Sequence, residues 1–485
     1  MNPPEQLCDM WRTHQAEIRS ITLRNIRDYV VGLDKHVPLY SGRNVRYVNL
    51  DNAATTPPLV PCVECSRRFY ELYASVHRGT GFKSLVSTAV YERCREVVSG
   101  FIGADPSYHA VVFTPNATHA LNKLAMHLNP PRDHVIVTSA MEHHSNMLPW
   151  RRLGCRVEYA GVNKSDGALD VADLERRIRA NRGRLHLVAV TAASNVTGHM
   201  PPIRRIARLA HENGAMIAVD ATQLVPHRPF KMGPPGVPES IDFAAFSAHK
   251  MYAPFGAGVL VGPREFFELG TPDTVGGGTV SVVTLDDVIW APLPEREEAG
   301  TPNVPGAVAL ACAMTVLDLV GMENVAEHER NLTRRALRKL NRIKGLTLYG
   351  QKDDDVREDR LGVIAMTADG MNHGMLACVL SQEWGIGVRN GCFCAQPYVR
   401  ELLNVSDAEM KQIAAKLAAG DHTTVPGMVR LSFGVYNTLE EADYFAEAVE
   451  SVIRNGPRGR YVLDERFSEY ALDPPVVSPS DYMPF

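Results

Sequence analysis

The sequence predicts an α/β chain whose larger domain is built on a mostly parallel sheet and whose smaller domain is α+β. Short apolar runs of strand length recur between residues 110 and 262 with helical patterns between several of them, which is the succession that parallel sheets require. Beyond residue 305 the pattern changes to one long helical stretch, a charged turn, and then further strands and helices. The 485 residues, 45% hydrophobic and 22% charged, suit a soluble globular chain large enough for two such domains.

Taken in order, "WRTHQAEIRSITLRNIRDYV" near the N-terminus reads as helical and is expected to pack on the C-terminal part of the chain. The strands expected next are "AVVFT" (110–114), "HVIVTS" (134–139), "LHLVAVT" (185–191), "AMIAVD" (215–220) and "GVLVG" (258–262). "ALNKLAMHL" and "PPIRRIARLAHENG" are helices between them, the second marked by proline at its start and Asn-Gly at its end. The expected division is a large domain over 48–305, a small domain from 1–47 and 306–460, and a Pro-rich tail over 461–485 whose final stretch, "DPPVVSPSDYMPF", reads as irregular.

A formal net charge of −4 without any basic run gives no pull toward nucleic acid or an acidic membrane. The N-terminus lacks the continuous apolar core of a signal peptide, and no run is long enough to span a bilayer. Nine cysteines, an odd number without a small-domain framework, fit free thiols in a reducing compartment, so the cytoplasm is the expected location.

The chemistry is sought beyond the carboxyl ends of the strands, where open α/β sheets bind ligands. "FSAHKMYAPFGAGVLVG" (246–262) places Lys250 at a tight interior junction, where an amine must be paired, lose its proton, or be covalently engaged. A desolvated lysine amine forms Schiff bases with aldehydes. After "VVF" comes "TPNATHALNKLA", a helix start whose N–H groups suit a phosphate, with the Thr118 hydroxyl beside them. His143 follows the next strand and is fitted either to stack on a planar ring or to shuttle a proton. Asn195 follows "VAVT", and Asp220 ends "MIAVD", where a buried carboxylate calls for a cationic partner; Gln223 lies one turn on. A carboxylate, a helix start, an amide and a buried lysine in this order meet the needs of pyridoxal 5′-phosphate.

At these residues the chain resembles the class V aminotransferase group of fold-type I pyridoxal-phosphate enzymes, and within it the Suf-type cysteine desulfurases and selenocysteine lyases. The stretches that carry the resemblance run from "YVNLDNAATT" to "VRLSFGVYNTLEE" and include "TPNATHALN", "MEHHSNMLPW", "SNVTG", "VDATQ", "FSAHK", "EEAGTPNV" and "VRNGCFCAQP". The resemblance implies that Lys250 holds the cofactor's aldehyde and later moves the substrate α-proton. It implies that Asp220 keeps the pyridine nitrogen protonated, that His143 stacks on the ring, and that Asn195 and Gln223 contact the substrate or the phenolic oxygen. Ala117, Thr118, Ser247 and His249 would bind phosphate. Thr301, in "AGTP", would reach across a homodimer interface to the partner's phosphate.

Two further matches narrow the reaction. Arg430 aligns with the arginine that clamps a substrate α-carboxylate, a bidentate role that suits a guanidinium and implies an amino-acid substrate. Cys394, shortly after Arg389, aligns with the desulfurase nucleophile, which implies L-cysteine or a derivative as substrate, alanine as product, and a persulfide passed to a protein or small-molecule acceptor. Other reactions of the same cofactor, such as β-elimination, epimerisation or transamination, would leave Cys394 incidental. The chain departs from the Suf-type pattern at Cys392, where histidine is usual and where "GCFC" is also similar to molybdenum-cofactor sulfurases. That thiol could receive the persulfide, pair with Cys394, or be inert. As a Cys-x-Cys metal pair it lacks a second ligand pair, and no metal is expected.

Overall fold

The structure, a computed structural model, describes residues 14–352, 360–419, 425–464 and 469–483. Much of the charged turn expected around 350–362, and part of the insertion that precedes Arg430, lie outside the described residues.

Seven strands form the large sheet: β1 (His109–Thr114), β2 (Val135–Ser139), β3 (Arg156–Ala160), β4 (Leu185–Thr191), β5 (Met216–Asp220), β6 (Phe243–Ser247) and β7 (Gly258–Pro263). Their spatial order is β1-β7-β6-β5-β4-β2-β3. Six strands run the same way, and β7 alone is antiparallel to both neighbours, β1 and β6. The near-continuous apolar runs read from the sequence follow from burial on both faces: every residue of β2, β6 and β7 is buried. Since the six parallel strands all point their carboxyl ends to one edge, Thr114, Ser139, Thr191, Asp220 and Ser247 come out side by side.

A second sheet joins β8 (Leu346–Tyr349), β9 (Val363–Ala368), β10 (Arg389–Gly391) and β11 (Met428–Ser432) in the order β8-β9-β11-β10, all antiparallel. Its own apolar core is filled by the helices Met322–Leu340, His373–Trp384 and Leu439–Asn455. β11 sets Arg430 directly opposite Arg389 of β10, so two guanidinium side chains leave the same edge of the sheet.

Two expectations about the ends of the chain need correction. Residues 1–47 do not all belong with the small domain: Ile18, Ile21, Ile26 and Val30 are buried in the same core as the large sheet. Farther on, the pair of strands His36–Pro38 and Asn44–Arg46 leans on the other body, where the Tyr40 N–H donates to the Gln382 carbonyl over 2.8 Å. The tail is also more ordered than its prolines suggested. Tyr461–Asp464 pairs antiparallel with Glu469–Leu472, and Leu472 is buried. The Glu383 carboxylate holds this hairpin's entry, accepting the Arg458 and Gly459 N–H groups at 2.7 and 2.9 Å. Edge hydrogen bonding decided what composition could not. Among the described residues no single helix is long and apolar enough to cross a membrane.

Candidate active site

At the carboxyl edge of the large sheet the strand ends enclose a cavity of about 470 Å³ whose far wall is the edge of the second sheet. Every residue singled out from the sequence lines it except Thr301 and Cys392. Thr301 lines a separate cleft together with Arg78 and Glu298.

Lys250 stands in a short helical turn straight after β6. Its Nζ donates to the Ala53 carbonyl at 2.7 Å, and the same carbonyl accepts Gln223 Nε2 at 2.9 Å. Burial, and next the positive charge of Arg430, bring the Lys250 amine down to about 8 from 10.5, against the pull of Asp220 and Asp51. At pH 7 the neutral, nucleophilic amine is therefore far more abundant than on a free lysine. Asp220 is 5% exposed, and the Thr222 N–H donates to its Oδ1 at 3.1 Å. The cationic partner expected for it is not a side chain: no ion pair to Asp220 forms among the described residues.

His143 is held by its own backbone turn, where Nδ1 accepts the Ser145 N–H at 3.1 Å. Burial, above all, lowers it to about 4, so the ring is neutral at neutral pH. Beneath it Glu142 is fully buried between Ser139 Oγ and Asn146 Nδ2, and burial pushes its carboxyl up to about 8.

The phosphate corner is assembled from three elements. Helix Ala117–Leu128 begins here, capped by Asn116, whose side chain accepts the His119 N–H at 2.9 Å. Ser247 Oγ accepts the Ala117 N–H at 2.8 Å, and Thr118 Oγ1 lies 2.7 Å from Ser145 Oγ. Gly258 is required at this junction, because a Cβ there would come within 2.4 Å of the Asn116 carbonyl carbon. His249, lowered to about 4 by burial and by Lys250, presents an uncharged ring, while its carbonyl ties down Thr55 and Thr56.

The opposite wall carries the substrate-facing groups. Arg430 is 2% exposed. Its Nη1 donates to the Asn195 carbonyl at 3.0 Å, its Nη2 to Asp51 at 2.9 Å, and its guanidinium lies 4.9 Å from the Phe393 ring centre. Nε alone is buried without a hydrogen-bond partner. Cys394 is exposed at the cavity's lip, and both it and Phe393 are in the left-handed region, at φ of 54° and 53°. Asn195 Nδ2 donates to the Phe393 carbonyl at 2.7 Å and the His144 N–H to the Cys394 carbonyl at 2.7 Å, so the loop is pinned to the large domain on both sides. Cys392 points elsewhere: its thiol donates to the Pro426 carbonyl at 2.8 Å, and burial raises it to about 11.

Sequence reasoning missed Asp51, the Ala53 carbonyl, Phe393 and Glu142. Asp51 and Ala53 sit in "LDNAATT", a stretch of small polar residues without a strand-end signature, and Glu142 is hidden beside the more conspicuous His143.

The comparisons agree with this geometry. The profile of the family described as "Aminotransferase class-V" matches residues 48–445. A probable cysteine desulfurase of Mycobacterium leprae is 35% identical over 413 residues, spanning 82% of this chain and 90% of its own length. Among solved structures, a cysteine desulfurase from Thermococcus onnurineus is similar with a TM-score of 0.74 and 32% identity, over 84% of this chain and 95% of that one. A second, from Escherichia coli, gives a TM-score of 0.73 and 29% identity over 90% and 99%. The chain belongs to the class-V aminotransferase family, among its cysteine desulfurases.

Proposed function

We propose that this protein takes the sulfur of L-cysteine with the help of pyridoxal phosphate, leaving L-alanine and a persulfide on Cys394 that passes to an acceptor. The observation that carries this reading is the convergence of Lys250, Asp220, Arg430 and Cys394 on one cavity.

The donor set fits the cofactor. Asp220 is a buried carboxylate with no cationic side chain against it, which suits a pyridinium nitrogen; the amine of Lys250 is poised to engage an aldehyde; and Thr118, Ser247, His249 and the start of helix Ala117–Leu128 suit a phosphate. The neutral His143 ring would cover the face of the pyridine. Pyridoxal phosphate, when bound, supplies a sink for the electron pair left as the substrate Cα–H bond breaks.

The chain's own residues do the rest. Arg430 holds the substrate carboxylate, with its unpartnered Nε as the free donor, and so orients the Cα–H bond toward the amine. Lys250 Nζ would take the α-proton; its lowered pKa matches that task near neutrality. Cys394 Sγ attacks the substrate sulfur, with Arg389 and Arg430 supplying positive charge nearby. An S–S bond forms as the substrate Cβ–S bond breaks, the electron pair of that bond stays on Cβ and takes up a proton there, and Lys250 returns a proton to Cα to complete alanine. Cys392, protonated and bonded to Pro426, is not the attacking thiol.

We further propose that the protein works in the cytoplasm as a homodimer in which Thr301 completes the partner's phosphate site. Its position in a cleft apart from the cavity supports this.

Incubation with L-cysteine without reductant should add one sulfur to Cys394, seen by peptide mass, and release one alanine per sulfur. Cys394→Ala should retain the cofactor chromophore and lose alanine formation by about 100-fold or more. Alanine formation that survives this change, or sulfur found on Cys392 instead, overturns the reading.

A further inference from the structure

Away from the active-site cavity, four thiols and an imidazole come together beneath the N-terminal helical segment. Cys62 and Cys65 lie three apart on helix Val60–Tyr70 and so share one face. Cys312 arrives from the apolar helix Val304–Val320, which packs across that face, and Cys94 from helix Phe82–Ile102. His14, only 1% exposed, completes the group. One donor atom each from His14, Cys65 and Cys312 lie within 4.8 Å of one another. Cys62, outside that group of three, is near enough to Cys312 to interact with it electrostatically.

Buried cysteines ordinarily serve as small apolar residues, and any one of these would pass as such. Packing alone does not explain why sulfur meets sulfur and imidazole at one point shared by three helices and the N-terminal segment. Nor does it explain the Glu17 carboxylate 3.7 Å from His14 Nδ1, where a carboxylate partner of a metal-bound histidine commonly stands. A tetrahedral zinc with sulfur at about 2.3 Å and nitrogen at about 2.0 Å needs donors roughly 3.5–3.8 Å apart, within reach of small side-chain rotations for His14, Cys65 and Cys312, while Cys62 has to turn in from outside that group.

We propose that His14, Cys62, Cys65 and Cys312 bind one zinc ion and that the ion clamps the N-terminal segment to the large domain. The ligands are one imidazole nitrogen and three thiolates, a closed set without an open position and therefore structural. Binding releases the three thiol protons to solvent and requires no oxidant. The second group with metal-like composition, His127, Asp273 and Glu297, differs in kind. The ammonium of Lys123, 2% exposed, already bonds both of its carboxylates, so the cation is built in. Cys62 and Cys65 stand in a Cys-x-x-Cys spacing that sequence reasoning passed over, and its partners lie too far along the chain to be read with it.

The test uses the full-length, cofactor-loaded protein, supplied with zinc and desalted. One zinc per chain should remain in the wild type and in a Cys392→Ser/Cys394→Ser variant, and at least about ten-fold less in Cys65→Ser/Cys312→Ser. Because the latter removes buried side chains, the wild type provides a second readout. A chelator should lower its melting temperature and open Cys62, Cys65 and Cys312 to alkylation, mapped by peptide mass, while Cys155 and Cys378 label as before. Zinc that fails to bind the wild type, that persists in Cys65→Ser/Cys312→Ser, or that leaves without changing the labelling of these three thiols overturns the proposal. So does a disulfide among them in the zinc-treated protein.

Discussion

The floor of the cavity and its lip are held in opposite ways. Lys250, Asp220 and Ser247 project from the ends of buried strands or the turn next to them, and none has positive φ. The lip carries Phe393 and Cys394 in two successive left-handed conformations, each costing roughly 1–3 kcal/mol for a residue with a Cβ. Two of the contacts that offset that cost come from the other body, the Asn195 amide on the Phe393 carbonyl and the His144 N–H on the Cys394 carbonyl, and a third, the Arg430 guanidinium over the Phe393 ring, comes from the loop's own sheet. The difference teaches where precision is stored. The floor is defined by the sheet and would keep its shape if the loop were loosened, whereas the position of Cys394 depends on contacts between two sheets.

The comparison breaks most severely at the floor. Lys250→Ala should cost at least about 10³-fold in turnover of L-cysteine and let the cofactor wash out on desalting, read by loss of its visible absorbance. Should that variant keep both cofactor and turnover, the floor has been misassigned.

A milder change should separate the two regions. Asn195→Ala leaves the Phe393 carbonyl without its buried donor, a loss of about 1–3 kcal/mol, and is expected to slow turnover about ten-fold while the bound cofactor stays in place. Hydrogen exchange across residues 389–395 should rise in this variant, with β5 and β6 unchanged. Exchange that rises equally in both regions would mean that the loop is not separately held.

The smallest effect is in the floor's response to acid. Burial holds His143 at about 4 against 6.5 in an unfolded chain. Between those values the unfolded chain takes up a proton that the folded one refuses, so this stability is full above about pH 6.5 and lost as pH falls toward 4. For the cofactor-free protein the loss should reach at most about 3 kcal/mol. Denaturant midpoints measured from pH 7 to 4.5 should fall more steeply for the wild type than for His143→Gln.

Much of the site was legible because each strand end carries its polar residue locally. Asp220 closes an apolar run, Lys250 sits between a buried strand and a glycine-rich one, and Thr118 opens a helix; all three readings use only neighbours in the chain. The direction of β7 was not legible, since a short apolar strand between glycines reads the same in either sense. Neither was the pairing of Arg430 with Asp51, which are 379 residues apart. The hairpin of Tyr461–Asp464 and Glu469–Leu472 was masked by the prolines around it, and its stability rests on Glu383 of another helix.

By itself the sequence determined the α/β class, the order of the strands along the chain, and the residue types that the chemistry needs, since periodicity and strand-end polarity are properties of short segments. Tertiary structure alone decided the left-handed pair at Phe393 and Cys394, the shared hold of Lys250 and Gln223 on the Ala53 carbonyl, and the meeting of His14 with Cys65 and Cys312. Those depend on packing surfaces and backbone groups brought together across tens to hundreds of residues, and no local pattern encodes which of them will meet.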